Sequence, residues 1–188
     1  MIVIENAIDT RLLETVSDLF PSEDWEGWHH YSDKDAEKFG SKPKVSLPEC
    51  VITALNSVYL QAAPYVNRGC FPDFELHGAG LHKLEPGGYL RPHIDSSIHP
   101  KTGWKREYSC VLFCNKNWER KDGGCFGISN DIGEHLPTWN KLILFRTTEE
   151  SVHWVSKITG NESRKSLALF FWSHEEPIDP TRDKAKFL

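Results

Sequence analysis

The stretch Tyr89-Leu90-Arg91-Pro92-His93-Ile94-Asp95 decides how this chain is to be read. In an extended strand alternate residues share a face, so His93 and Asp95 point the same way and Ile94 points to the other side. A histidine and a carboxylate two apart on one face can chelate one metal through an imidazole nitrogen and a carboxylate oxygen. The pair is incomplete, and a lone His-x-Asp arises by chance in loops and strands.

The best candidate for a third ligand is His153, in the second apolar run Ser151-Val152-His153-Trp154-Val155. Two histidines and one carboxylate on one face of a metal leave three coordination positions open, which suits Fe(II) oxygen chemistry. Alone, His153 reads more readily as a buried, hydrogen-bonded core histidine. Arg164-Lys165-Ser166 follows eleven residues later. Arg164 and Ser166 share a strand face, where a guanidinium can hold a carboxylate bidentately and a hydroxyl can add a hydrogen bond. Together they fit the far carboxylate of a dicarboxylic co-substrate whose other end meets the metal. The blander alternative is a surface arginine beside a strand serine. The run Ser166-Leu167-Ala168-Leu169-Phe170-Phe171-Trp172 is deeply apolar, however, and an arginine entering it calls for an anionic partner.

The surroundings are those of an α+β, mainly β chain. Residues 2–8 read as a strand, and Asp9 or Thr10 caps a helix over 11–20 carrying Leu12, Leu13, Val16 and Leu19. Pro21 stops it, and residues 21–47 look polar and irregular, with Trp25, Trp28 and Tyr31 interspersed. A second helix runs from Pro48 to about Ala63 with Val51, Leu55, Val58 and Tyr59 as its apolar stripe, and Pro64 ends it. From Phe71 onward come short β-rich runs at 75–84, 90–94, 106–115, 125–129, 141–146, 151–158 and 164–172. Turns at Pro86-Gly87-Gly88, Asp122-Gly123-Gly124 and Gly160-Asn161 separate several of them. Such a series suggests a sandwich, barrel or jelly roll. One domain over 1–188 is expected, its β core at 75–173, with a loose tail from Glu175.

Composition narrows the function classes. The 188 residues are 39% hydrophobic and 26% charged, ordinary for a globular protein. A net charge of −5 makes nucleic acid an unlikely partner, because proteins that grip a phosphate backbone carry an excess of Lys and Arg. The basic stretches Lys101–Arg106 and Lys184–Lys186 read as solvated loops. Five scattered cysteines (Cys50, Cys70, Cys110, Cys114, Cys125) form no C-x-x-C pair, against a zinc ribbon or thioredoxin-like motif. Free thiols suit a reducing compartment, and Cys110 and Cys114 read as small buried hydrophobes. The opening MIVIENAIDT lacks the features of a secretory signal, and no apolar run approaches the length of a membrane span. A cytoplasmic location without membrane contact is expected.

Taken together, H-x-D, a distal His, and R-x-S in the last core strand resemble the pattern of the Fe(II)/2-oxoglutarate oxygenase superfamily, over roughly residues 75–173. Its prolyl 4-hydroxylase-like branch shows Y-x-x-H-x-D, then L-N-x-x-W, then G-G. The similar stretches here are Tyr89 to Asp95, Phe113-Cys114-Asn115-Lys116-Asn117-Trp118, and Gly123-Gly124. The chain departs from that pattern by one extra residue between Tyr89 and His93, by Phe113 where those members have a tyrosine, and by Cys125 where many have an acid.

The resemblance implies a double-stranded β-helix (a cupin-like jelly roll) with two flanking N-terminal helices. It implies Fe(II) on His93, Asp95 and His153, and 2-oxoglutarate chelating through its C1 carboxylate and keto oxygen. Arg164 and Ser166 would hold the far carboxylate, with Tyr89 near the chelating end or lining the mouth. O2 is then the oxidant and ascorbate an optional reductant; a C–H bond is hydroxylated as 2-oxoglutarate is decarboxylated to succinate. A peptidyl, prolyl-like target is the leading expectation, beside small-molecule hydroxylation. Nucleic-acid demethylases of the superfamily place a second arginine six residues after the first, where this chain has Phe170. Two readings compete: a cupin-like metal protein without 2-oxoglutarate, which has no need of Arg164 and Ser166, and a non-catalytic jelly-roll binding module. Trp154, Trp172, Ile143 and Phe145 are candidates for the cavity wall or for plain core, and segments 21–47 and 96–106 for substrate-covering loops.

Overall fold

Short strands can bury an apolar face only by pairing, and here they pair into one curled antiparallel sheet in a computed structural model that describes residues 1–129 and 131–188. In chain order the elements are β1 (Ile2–Ile4), α1 (Thr10–Asp18), β2 (Trp28–Ser32), β3 (Ala36–Ser41) and α2 (Glu49–Ala62). There follow β4 (Phe71–Pro72), β5 (Gly80–Leu84), β6 (Tyr89–Ile94), β7 (Lys105–Phe113) and β8 (Phe126–Ile128). The last are β9 (Glu134–His135), β10 (Leu142–Arg146), β11 (His153–Val155), β12 (Arg164–Ser173) and β13 (Lys186–Phe187).

The sheet runs β1-β10-β7-β12-β5-β3-β6-β11-β8-β9. Because β3 pairs with both β5 and β6, it bends the sheet into two facing halves. Their inner faces meet: Phe145 of β10 lies 4.8 Å from the His153 ring of β11 and 5.6 Å from Phe126 of β8. This is the double-stranded β-helix, a jelly roll.

Both helices cover the outer face of the β1-β10-β7-β12-β5 half. The Asp9 carboxylate accepts the Leu12 N–H at 2.9 Å and starts α1, whose Leu13 and Val16 turn inward. Val51, Ala54, Leu55, Val58 and Ala62 form the buried stripe of α2. These side chains pack on Leu112, Leu142, Leu144 and the odd-numbered Leu167, Leu169 and Phe171 of β12. The even-numbered Arg164, Ser166, Ala168, Phe170 and Trp172 face the interior between the halves. One strand thus serves a dry core on one side and a cavity on the other.

Four expectations need correction. The first strand and helix are shorter than 2–8 and 11–20, since residues 6–9 turn the chain into the cap. The run 75–84 is strand only over Gly80–Leu84, because the Asp73 carboxylate accepts the N–H groups of Glu75 and His77 and winds 73–78 into a turn. Segment 21–47 contains the β2–β3 hairpin. Its outer strand is exposed, so its sequence lacks the apolar alternation that marks a half-buried strand. The tail from Glu175 is tied down rather than loose, through Arg182 and the pairing of β13 with β6. Among the described residues no helix is long and apolar enough to cross a membrane.

Candidate active site

His93 and Asp95 come from β6 and the residue just past its end, and His153 starts β11, the neighbouring strand. The pairing His153↔His93 sets the two imidazoles side by side, with ring centroids 4.1 Å apart. One ligand atom from each of the three residues lies within 4.8 Å of the others. Nε2 of His93 is 3.8 Å, and Nε2 of His153 3.7 Å, from the same Asp95 oxygen, Oδ1.

The second layer explains this convergence. Nδ1 of His93 donates to the Arg91 carbonyl at 2.8 Å and Nδ1 of His153 to the Ser151 carbonyl at 2.9 Å, so each Nε2 presents its lone pair to the common point. Burial, helped by the neighbouring His153, pushes His93 down to about 3. Burial likewise lowers His153, which leaves both rings neutral, the form that binds metal. For Asp95 burial acts upward, but it is outweighed by Arg106, the two histidines and the Ser109 hydroxyl, and the carboxyl stays well below the ordinary carboxylate range. Arg106 Nη2 lies 2.9 Å and Ser109 Oγ 2.8 Å from Oδ2, so the far oxygen is occupied and Oδ1 is aimed at the histidines. The Arg106 guanidinium stacks on the Phe170 ring at 3.4 Å.

Across the same cavity stand Arg164 and Ser166 of β12. Arg164 is 3% exposed, its guanidinium 4.8 Å over the Phe113 ring, and its Nε has no hydrogen-bond partner among the described residues. Burial brings it down to about 10, which still leaves it charged at neutral pH. A buried cation with an orphaned donor is costly unless an anion meets it. The cavity encloses about 710 Å3, within the range of small-molecule sites, and has room for a co-substrate beside the metal position. The residues present therefore fit a 2-His-1-carboxylate metal with a carboxylate ligand reaching the opposite wall.

Tyr89 does not join them. It is Leu90 that lines the cavity, while the Tyr89 hydroxyl donates to the Asp33 carbonyl at 3.0 Å. The reason is a bulge: a two-residue step in β11, from His153 to Val155, is matched by a three-residue step in β6, from His93 to Leu90. The extra residue ahead of His93 is absorbed there, and Leu90 takes the inner position three before the histidine. A second bulge, Trp172↔Arg106 next to Phe171↔Tyr108, turns Arg106 inward beside Ser109 and Glu107 outward to Ser173. Alternation from Ser109 would put Glu107 inside, so simple parity misses Arg106. Lys38, Tyr31 and His29 on the unanticipated β2–β3 hairpin also line the cavity, as do His82 and Phe187. Of the suggested wall residues Phe145 and Trp172 line it; Ile143 packs beneath it, and the Trp154 indole turns away to Glu134. Segment 96–106 contributes Ser96, Pro100 and Arg106 to the wall.

The chain is similar to known proteins. The 2OG-Fe(II) oxygenase superfamily matches residues 79–172. A curated relative, prolyl 3-hydroxylase OGFOD1 of Mus musculus, is 30% identical over an alignment of 130 positions that covers 57% of this chain and 24% of the mouse protein. The chain thus spans about a quarter of that relative's length. The fold is similar to that of a Pseudomonas putida prolyl-4-hydroxylase, with a TM-score of 0.68, 20% identity, and coverage of 93% of this chain and 92% of the other. It is also similar to a Trichoplax adhaerens prolyl hydroxylase solved with a hypoxia inducible factor peptide fragment, with a TM-score of 0.71, 14% identity, and coverage of 92% and 83%. The chain belongs to the 2OG-Fe(II) oxygenase superfamily. Its fold is similar to that of the two prolyl hydroxylase structures.

Proposed function

We propose that this chain is an Fe(II)- and 2-oxoglutarate-dependent dioxygenase that hydroxylates a C–H bond of a peptidyl, prolyl-like substrate. The observation that carries the proposal is the pairing of two features in one cavity: three converging ligand atoms, and a buried arginine with an orphaned donor on the opposite wall. His93, Asp95 and His153 hold the iron. Arg164 and Ser166 bind the far carboxylate of 2-oxoglutarate, and the Phe113 ring beneath the guanidinium replaces a hydroxyl contact by a cation–π one. When bound, the metal and co-substrate supply the oxidation, consuming O2 and releasing succinate and CO2 as one oxygen atom enters the C–H bond; ascorbate serves as an optional reductant. The protein's own share is orientation and the exclusion of water. Leu90, Phe126, Phe145 and Val155 make the wall near the histidines apolar.

The relatives support a peptide target: the mouse protein is named a prolyl 3-hydroxylase, and the Trichoplax structure holds a peptide fragment. The net charge of −5 and Phe170 at the second-arginine position speak against nucleobases. Five free cysteines, three of them buried, are consistent with a reducing, cytoplasmic compartment.

The test is an anaerobic titration of Fe(II)-loaded protein with 2-oxoglutarate, following the visible metal-to-ligand charge-transfer band. The band is expected in wild type and absent in His93→Ala. In Arg164→Leu the iron affinity is kept while that for 2-oxoglutarate falls about 10- to 100-fold, the worth of a lost charge-assisted pair. Iron binding without any band in wild type overturns the 2-oxoglutarate assignment in favour of a cupin-like one.

A further inference from the structure

Residues 182–188 cross the mouth of the cavity, and the way they are held indicates what belongs there. Arg182 anchors them: its Nε donates to the Asp95 carbonyl at 3.1 Å, its guanidinium pairs with Glu149 at 2.7 Å, and its carbonyl accepts from Ser97 N–H at 2.8 Å. Beyond it Lys186 and Phe187 pair antiparallel with Ile94 and His93, and the Leu188 N–H donates to the Pro92 carbonyl at 3.0 Å. They use the part of the β6 edge that β3 leaves free, since β3 pairs with β6 only at Tyr89 and Leu90. The Phe187 ring reaches into the metal cavity and lies 5.2 Å from the His93 ring. Arg182 carries most of the hold on the tail; beyond it only Lys186 and Phe187 pair, and Lys184 to Lys186 are exposed, so a competing strand can displace residues 183–188.

We propose that this edge of β6 is the docking edge for the peptide substrate, which adds as an extended strand in the place of residues 183–188 and puts its target side chain where Phe187 now enters. The proposal rests on the peptidyl reading above. Strand addition supplies affinity through main-chain hydrogen bonds and leaves alternate side chains for specificity. It also accounts for a prolyl target. Hydrogen bonding alternates along a strand, and the Leu188 N–H points to β6, so the N–H at Phe187 points away. A residue without an N–H forfeits nothing at that position.

The test uses Mn(II)- and 2-oxoglutarate-loaded protein, as the full chain with Phe187→Asp and as a variant lacking residues 183–188. Each is titrated with the free peptide of sequence Asp183–Leu188, carrying a fluorophore. Both variants should bind it at least ten-fold tighter than wild type, with slowed hydrogen exchange in β6. N-methylation of the peptide at the Leu188 position should abolish binding, while N-methylation at the Phe187 position, or proline there, should leave it intact. Equal affinity for variants and wild type, or indifference to the site of N-methylation, overturns the docking edge. Hydroxylation of prolyl peptides with a KM unmoved by Phe187→Asp overturns it too while upholding the peptidyl reading. Peptide binding as expected with no prolyl peptide hydroxylated overturns the peptidyl reading and with it the edge's role in substrate docking, leaving β6 as an edge that adds a strand.

Discussion

At the scale of single residues the site is organised by charges that have little choice of partner. Arg106 is buried on Phe170 with Asp95 as its carboxylate, so it occupies Oδ2 and leaves Oδ1 turned toward His93 and His153. Replacing it with Leu should weaken Mn(II) or Zn(II) binding about 10- to 100-fold, the usual cost of losing a partner behind a ligand. Arg106→Lys should recover part of it, with isothermal titration as the readout. Lys38 is another cation on the cavity wall. Burial, against the pull of Asp95 and with the repulsion of Arg106 and Arg164, brings its ammonium down to about 8. His82, Asp33 and Asp183 also line the cavity it faces. The ammonium is charged below that value and attracts a dianion, and it loses its proton as pH rises through 8. The affinity of Mn(II)-loaded protein for 2-oxoglutarate should therefore fall several-fold between pH 7 and 9, and Lys38→Met should flatten that dependence.

At the scale of elements, two bulges and one turn aim the strands. The bulge in β6 exchanges Tyr89 for Leu90 on the inner face, and that in β7 brings in Arg106. The Gly123-Gly124 turn has positive φ at both residues, +70° and +65°, a conformation that side-chain-bearing residues rarely adopt. A Cβ on Gly124 would sit 2.5 Å from Ile158 Cδ1 and 3.0 Å from Arg164 Cδ. Gly124→Ala should then cost about 1–3 kcal/mol of stability through backbone strain. It should also displace Arg164, so that 2-oxoglutarate affinity drops more than metal affinity; urea melts and ligand titrations separate the two effects.

At the scale of the whole molecule, β12 divides a dry helix-side core from the metal cavity, and the two sides should fail independently. Leu13 of α1 is fully buried in the dry core. Leu13→Ala should cost about 3 kcal/mol from the lost contacts and the cavity left behind. That corresponds to a fall of roughly 10 °C in Tm for a chain of this size. Metal and 2-oxoglutarate affinities at 20 °C should be unchanged. A parallel loss of metal binding would mean that the two sides are coupled.

The amino-acid sequence carries the two helices, the run of β-strands, the one-face placement of His93 and Asp95, and Arg164 with Ser166 on one face of the last core strand. Those depend on local periodicity, caps and side-chain type, which a chain carries wherever it folds. It pointed to His153 by residue type and setting, but only the pairing of β11 with β6 set that ring against His93. Tertiary structure alone decided that Leu90 rather than Tyr89 faces the cavity, and that Arg106 backs Asp95. It alone brought the β2–β3 hairpin and residues 183–187 to the cavity mouth. The physical reason is common to all of these. Register and bulges are fixed by pairing between strands far apart in the chain, and a one-residue slip exchanges the two faces of a strand, which no local pattern records.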